Sequence, residues 1–189
     1  MIILLVLLAA ILLIAGWFFT TYNSLVALKV RVENAWSQID VQLKRRHDLI
    51  PNLVEAVKGY MSYEKDTLER VIKARNQAID ASSIKDKAQA ENFLSQTLKS
   101  LFAVVERYPD LKANQNVLKL QEELTSTENK ISFARQYYND ETGRFNTQIQ
   151  IVPGNIVAGA VGFTQRDFFQ IEDKTEKEVR SRPTEVRGS

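Results

Sequence analysis

Residues 18–60 read FFTTYNSLVALKVRVENAWSQIDVQLKRRHDLIPNLVEAVKGY, and their apolar spacing decides the fold. Phe18, Tyr22, Leu25, Leu28, Val32, Ala35, Ile39, Leu43, Ile50, Leu53, Val57 and Tyr60 recur every three or four positions, with Arg46 filling the one gap. An α-helix turns once in 3.6 residues, so these side chains form one stripe near the coiled-coil period. Pro51 interrupts the run. Proline removes a backbone bond and crowds the preceding turn, so a kink or a restart is expected there, with Asp48 available as a cap.

The stripe continues upstream into Ile2–Phe19, IILLVLLAAILLIAGWFF, and no charge occurs before Lys29. At helical rise this run spans about 27 Å, or about 31 Å to Tyr22, which matches a hydrocarbon core. Trp17, Phe18, Phe19 and Tyr22 gather at one end, where aromatic rings favour the membrane interface. A cleaved signal peptide is the competing reading, but the run lacks a charged n-region and no A-x-A site with a polar approach follows it. A retained anchor is expected. Lys29 and Arg31 follow the span and no cation precedes it, which places the N-terminus outside and the body in the cytoplasm. The simplest account is one rod that leaves the lipid and becomes the first helix of a bundle.

Downstream, Gly59, Ser62 and Glu64 mark a turn and a new helix start. Leu68, Val71, Ile72, Ala78 and Ile79 give a second helix to about Ala81. Phe93, Leu94, Leu98, Leu101, Phe102, Val104 and Val105 give a third, which stops before Tyr108-Pro109. Asp110 opens a fourth, with Leu111, Val117, Leu118, Leu120, Leu124, Ile131, Ala134 and Tyr138 on its face. No stretch before Ile149 alternates with period two. The expected class is all-α: an N-terminal transmembrane helix continuous with an antiparallel bundle of about four helices. The chain then divides into an anchor (1–21), the bundle (22–148), a short apolar segment (149–170) and a charged tail (171–189). The tail holds ten charges between Glu172 and Ser189 with no apolar pattern, so it is expected to be flexible.

Composition excludes much chemistry. The 189 residues contain no cysteine and one histidine, which rules out thiolate metal sites, disulfides and cysteine nucleophiles. His47, Asp48 and Glu55 offer one imidazole and two carboxylates without ligand spacing, and a solvated or capping histidine is the simpler reading. Neither a G-x-S-x-G elbow nor a phosphate-binding glycine fingerprint is present. A net charge of +2 is too balanced for general nucleic-acid affinity, so no nucleic acid, cofactor or metal is expected. Lys44 in the run Lys44-Arg45-Arg46-His47 lies roughly 37 Å from the interface along a straight helix, beyond the reach of lipid headgroups at a Debye length of about 8 Å. That run reads as a solvated face or a contact to a neighbouring chain.

Several polar residues stand on apolar stripes. Arg46 follows Leu43 by three, Arg75 lies between Ile72 and Ile79, and Glu128 and Arg135 share a face with Leu124, Ile131 and Tyr138. They form either a buried polar layer that fixes helix register or long side chains that snorkel from the stripe edge. In the apolar segment, IVPGNIVAGAVGF and the following Phe168-Phe169 either cap the bundle or present Ile151, Ile156, Val157, Val161, Phe163, Phe168 and Phe169 to lipid or an adjacent subunit.

The sequence resembles the LemA family. The likeness is carried by Tyr22-Asn23-Ser24-Leu25-Val26, by the block from Ala35-Trp36-Ser37-Gln38-Ile39 through Lys44-Arg45-Arg46-His47-Asp48-Leu49-Ile50-Pro51-Asn52-Leu53-Val54, and by Val57-Lys58-Gly59-Tyr60. Ala74-Arg75, Tyr108-Pro109, Leu120-Gln121, Ala134-Arg135, Tyr138-Asn139 and Phe168-Phe169 continue it. The resemblance implies a bacterial single-pass membrane protein with its N-terminus outside and an all-α soluble body. It implies no enzyme activity, and so no catalytic residue. Three roles follow as expectations. One is a scaffold that self-associates as a homo-oligomer at the cytoplasmic membrane, with the lipid bilayer as its other partner. A second is a monomeric adaptor for another membrane protein, such as a protease or transporter. The weakest is a metal enzyme built on Glu64, Asp66, Glu69, Glu122, Glu123 and Glu128, which lacks the Glu-x-x-His spacing such a site needs.

Overall fold

The computed structural model describes residues 1–61 and 63–170, and the charged tail lies outside them. The expected all-α class holds: among the described residues there are six helices and no strand. Helix α1 runs from Ile2 to Lys58, α2 from Lys65 to Asp80 and α3 from Ile84 to Val105. A single turn, α4 (Pro109–Lys112), precedes α5 (Gln115–Gln148), and α6 (Gly154–Val161) closes the described chain.

Helix α1 is 57 residues long and passes through Pro51 without a restart, so Asp48 caps nothing. The expected stripe explains why. Ile50, Leu53 and Val57 are all fully buried on the phase set by Ile39 and Leu43. Packing on both sides of the proline outweighs the loss of one backbone hydrogen bond. Residues 2–14 of this helix are exposed throughout, as suits a segment long and apolar enough to cross a membrane.

Side-chain caps open α3 and α5. Ser83 accepts from the Asp86 amide at the start of α3, and Asn114 accepts from Asn116 and Val117 at the start of α5. The expected start at Asp110 is therefore only a turn, and the long fourth helix begins at Gln115. Helix α5 lies antiparallel on α1, with Trp36 against Tyr138 and Arg46 against Glu128. Helices α2 and α3 form a hairpin over the distal half of α1. Two apolar cores result. The distal one gathers Ile50, Leu53, Met61, Val71, Leu94, Leu101 and Leu124. The proximal one, nearer the N-terminal span, gathers Leu25, Ile39, Leu43, Ile131, Tyr138, Phe145 and Phe169.

Three expected core residues face outward, the first being Tyr60, 49% exposed just past the end of α1. Ile79 is 45% exposed because α2 buries Val71, Ala74 and Ala78 instead, and Phe93 is 47% exposed because α3 buries Ala88, Glu91 and Leu94. At the end of α5 the chain reverses sharply. A Cβ on Gly154 would fall 2.0 Å from the backbone oxygen of Gln148, so only glycine permits this close approach. Gly162, at φ 81, ends α6 in the left-handed conformation, and residues 163–170 then run back along α1 as a strap.

Candidate functional site

Between the two cores lies a layer of charge. Arg46 replaces an apolar residue on the α1 stripe, Glu91 does so on α3 between Ala88 and Leu94, and Glu128 lies between Leu124 and Ile131 on α5. Helical periodicity brings the three to one level. Both terminal nitrogens of Arg46 are engaged: Nη2 pairs with Glu91 Oε2 and Nη1 with Glu128 Oε2. Arg46 Nη1 also donates to Ser95 Oγ at 2.9 Å, and the Ser95 hydroxyl donates to Glu128 Oε1 at 3.0 Å. One guanidinium thus ties three helices together.

His47 extends the layer. Its Nε2 lies 2.8 Å from Glu91 Oε1, and its backbone oxygen accepts from Arg75 Nε at 2.7 Å. The expectation of a solvated or capping histidine is corrected here, because the side chain is only 11% exposed and faces a buried carboxylate. The basic run therefore splits by helical phase. Arg46 and His47 turn inward, while Arg45 reaches Glu123 at 3.6 Å on the surface.

Of the expected polar residues, Arg46 and Glu128 are in direct contact. Arg75 clasps the α1 backbone from α2 and does not touch Glu128. Arg135 lies toward the proximal core, donating to Asn92 Oδ1 at 3.3 Å with its guanidinium 5.0 Å from the centre of the Phe169 ring. Glu91 is the member that sequence reasoning passed over. The signal is there: Ala88, Glu91, Leu94, Leu98 and Leu101 recur every three or four positions, but the bulk of Phe93 draws the predicted face away from Glu91.

Burial alone would raise the Glu91 carboxyl, but the hydrogen bond from His47 and the charges of Arg46 and His47 outweigh it and hold the group below its ordinary value of 4.5. Burial lowers Arg135, against the opposing pull of Glu128 and Glu91. Tyr138 is raised by burial, and its hydroxyl donates to the backbone oxygen of Asp167 at 2.8 Å. A carboxyl held low in the native state binds fewer protons than in the unfolded chain. Its contribution to stability is complete above about 4.5 and is lost as pH falls through the lower native value. Melting temperature should therefore fall with acidification below pH about 4.5 in the native chain. The Glu91→Gln variant should show a shallower slope over the same window, and equal slopes would assign the acid sensitivity elsewhere.

The second polar cluster holds the strap. Asn146 Nδ2 donates to the Arg166 backbone oxygen and its Oδ1 accepts from the Arg166 amide, both at 2.8 Å. Asn139 makes the same two-way pairing with Phe169. The expected contact residues accordingly divide. Val157 and Phe169 are fully buried on their own bundle, and the Phe163 ring packs between Tyr22 and Phe145. Ile151, Ile156, Val161 and Phe168 remain 42–58% exposed. At the membrane end, Trp17 and Phe19 are exposed, whereas Phe18 and Tyr22 pack partly on the proximal core.

Comparison with known proteins settles the kinship. A family model described as the LemA family matches residues 35–182, which takes in the ionic layer and the strap. The chain belongs to the LemA family. Protein LemA of Metamycoplasma hominis is 26% identical over 167 residues, covering 84% of this chain and 74% of that protein. Magnetosome protein MamQ 2 of Paramagnetospirillum magneticum is 22% identical over 175 residues, covering 79% of this chain and 64% of the relative. Magnetosome protein MamQ of Magnetospirillum gryphiswaldense is 21% identical over 174 residues, with 78% and 64% covered. This LemA-family chain thus spans just under two thirds of the magnetosome relatives' length. None of these names is that of an enzyme.

Proposed function

We propose that this protein is a non-enzymatic scaffold, anchored in the bacterial cytoplasmic membrane by α1 with its N-terminus outside, whose bundles associate side by side on the cytoplasmic side. The observation that carries the reading is an exposed aromatic face where α1 meets α5. Val41 is 63% exposed, Phe133 75% and Tyr137 43%, and the groove they share with Ser37, Gln38, Gln42 and Ala134 has one charge, Lys130, at its rim. Two copies standing in one membrane and related by a two-fold axis along its normal meet residue for residue at equal height. Like charges would then oppose one another, and a nearly neutral face avoids this. The carboxylates of the buried layer are committed to Arg46, which supports a holding role for that layer.

Phe133→Glu and Val41→Glu should each lower the mass of the particle extracted in mild detergent to that of the monomer. Melting temperature should stay nearly unchanged, since exposed substitutions shift stability by about 0.5 kcal/mol or less. Mass photometry and circular dichroism on the same samples check this. A native chain that is itself monomeric overturns the scaffold. The second reading, a monomeric adaptor for another membrane protein, draws on the distal groove between α1 and α2, floored by Val54, Met61, Leu68 and Ile72. A monomer that brings a second polypeptide with it, released by Ile72→Glu, supports that reading.

A further inference from the structure

We propose that the elbow joining α5 to α6, residues 151–156, rests on the lipid surface as a second membrane contact beside the N-terminal span. The inference rests on the reading of α1 as that span. Three observations carry it. First, the register that sets Trp36 against Tyr138 and Arg46 against Glu128 returns α5 toward the membrane end of α1 and brings the elbow opposite residues in the low twenties. That is the level of Tyr22, which stacks on Phe163 at 6.3 Å just beyond α6. The aromatic residues that mark the interface lie within about 8 Å of Tyr22 along the helix axis.

Second, the elbow holds its apolar side chains outward. Val152 is 74% exposed, Ile156 58% and Ile151 48%, while Val157 and Ala158 on the opposite side of α6 are buried against the bundle. Water would oppose this arrangement, and a headgroup region that admits apolar side chains favours it. Third, no Asp, Glu, Lys or Arg occurs from Phe145 to Gln165. The two long charge-free stretches of the chain are this one and Met1–Leu28, and the end of the latter, Phe18 to Leu28, packs on this one in the proximal core. A surface that stayed in water or met a polar partner would have no need of such neutrality. Burying Val157 and Phe163 fixes the height of the elbow, and the glycine reversal at Gly154 keeps it blunt.

The absence of cysteine makes the test direct, since each single-cysteine variant carries one fluorescent label. The full chain is reconstituted in phosphatidylcholine vesicles, with and without lipids bearing a nitroxide near the headgroup or midway along the acyl chain, the latter reading Ile11. Val152→Cys and Ile156→Cys are compared with Ile11→Cys inside the span and Phe133→Cys on the distant body. The expected result is at least two-fold quenching at Val152, Ile156 and Ile11, with Phe133 unaffected. Quenching at Ile11 with none at Val152 and Ile156 overturns the elbow contact and leaves the span intact. No quenching at Ile11 removes the span and the elbow contact together. A label at Ile156 that responds to the protein-to-lipid ratio and ignores the nitroxide assigns the elbow to a second copy of the chain and also overturns the proposal.

Discussion

An Arg46→Leu chain is expected to lose about 3–5 kcal/mol of folding stability, since it keeps a buried carboxylate whose closest counterion is gone and whose one remaining partner is the His47 imidazole. Glu91 is completely buried, and Arg46 supplies its closest opposing charge. Leucine fills much of the volume and suits the stripe, so the loss is electrostatic. Urea unfolding followed by circular dichroism measures it, and a loss below about 1 kcal/mol would mean that the layer is hydrated in solution. Changing all three charges together should behave differently. Replacing Arg46 with Met, and Glu91 and Glu128 with Leu, removes the desolvation penalty, most of it that of the buried Arg46–Glu91 pair since Glu128 is 43% exposed, so stability should be unchanged or higher by about 1–4 kcal/mol. If the layer selects register, that triple variant gains stability and loses uniqueness, seen as broadened amide resonances in the bundle. Sharp resonances would assign the layer no role in specificity.

Phe169→Ala is expected to cost a similar amount, about 3–5 kcal/mol, through a cavity in the proximal core. The ring is fully buried, 5.5 Å from Trp36 and beneath the Arg135 guanidinium. Without it the far end of the strap loses its apolar anchor, Phe163 holding only the near end, and the paired hydrogen bonds of Asn139 and Asn146 open to water. Hydrogen exchange should quicken at the Arg166 and Phe169 amides before the body of α5 is affected. Unchanged protection at those amides would show that the asparagines alone hold the strap.

The first helix was legible because its stripe is nearly pure: Leu25, Val32, Ala35, Ile39, Leu43, Ile50, Leu53 and Val57 were all expected inside and all are buried. Of the kink or restart that Pro51 predicts, the restart does not occur, since a local rule about one hydrogen bond is set against many packing contacts that a sequence does not display. Arg46 was legible as a position and not as a partner. Its place on the stripe follows from spacing, whereas the choice of Glu91 depends on how α3 is rotated, and Phe93 pointed to the wrong face. The strap was the least readable part. Asn139, Asn146 and Tyr138 look like ordinary helix residues until the returning backbone brings Phe169, Arg166 and Asp167 to them. Such pairings across 20–30 residues have no periodic signature.

The unbroken α1 makes the span and the body a single lever. The stretch from Tyr22 to Lys58 is about 54 Å long. Inclining the buried part by about 20°, an ordinary angle for a bilayer helix, sweeps the far tip sideways by about 18 Å. In the membrane-anchored assembly proposed above, thickening or thinning of the lipid leaf would thereby be magnified into spacing between neighbouring tips, a mechanical gearing that a flexible linker after Tyr22 would abolish.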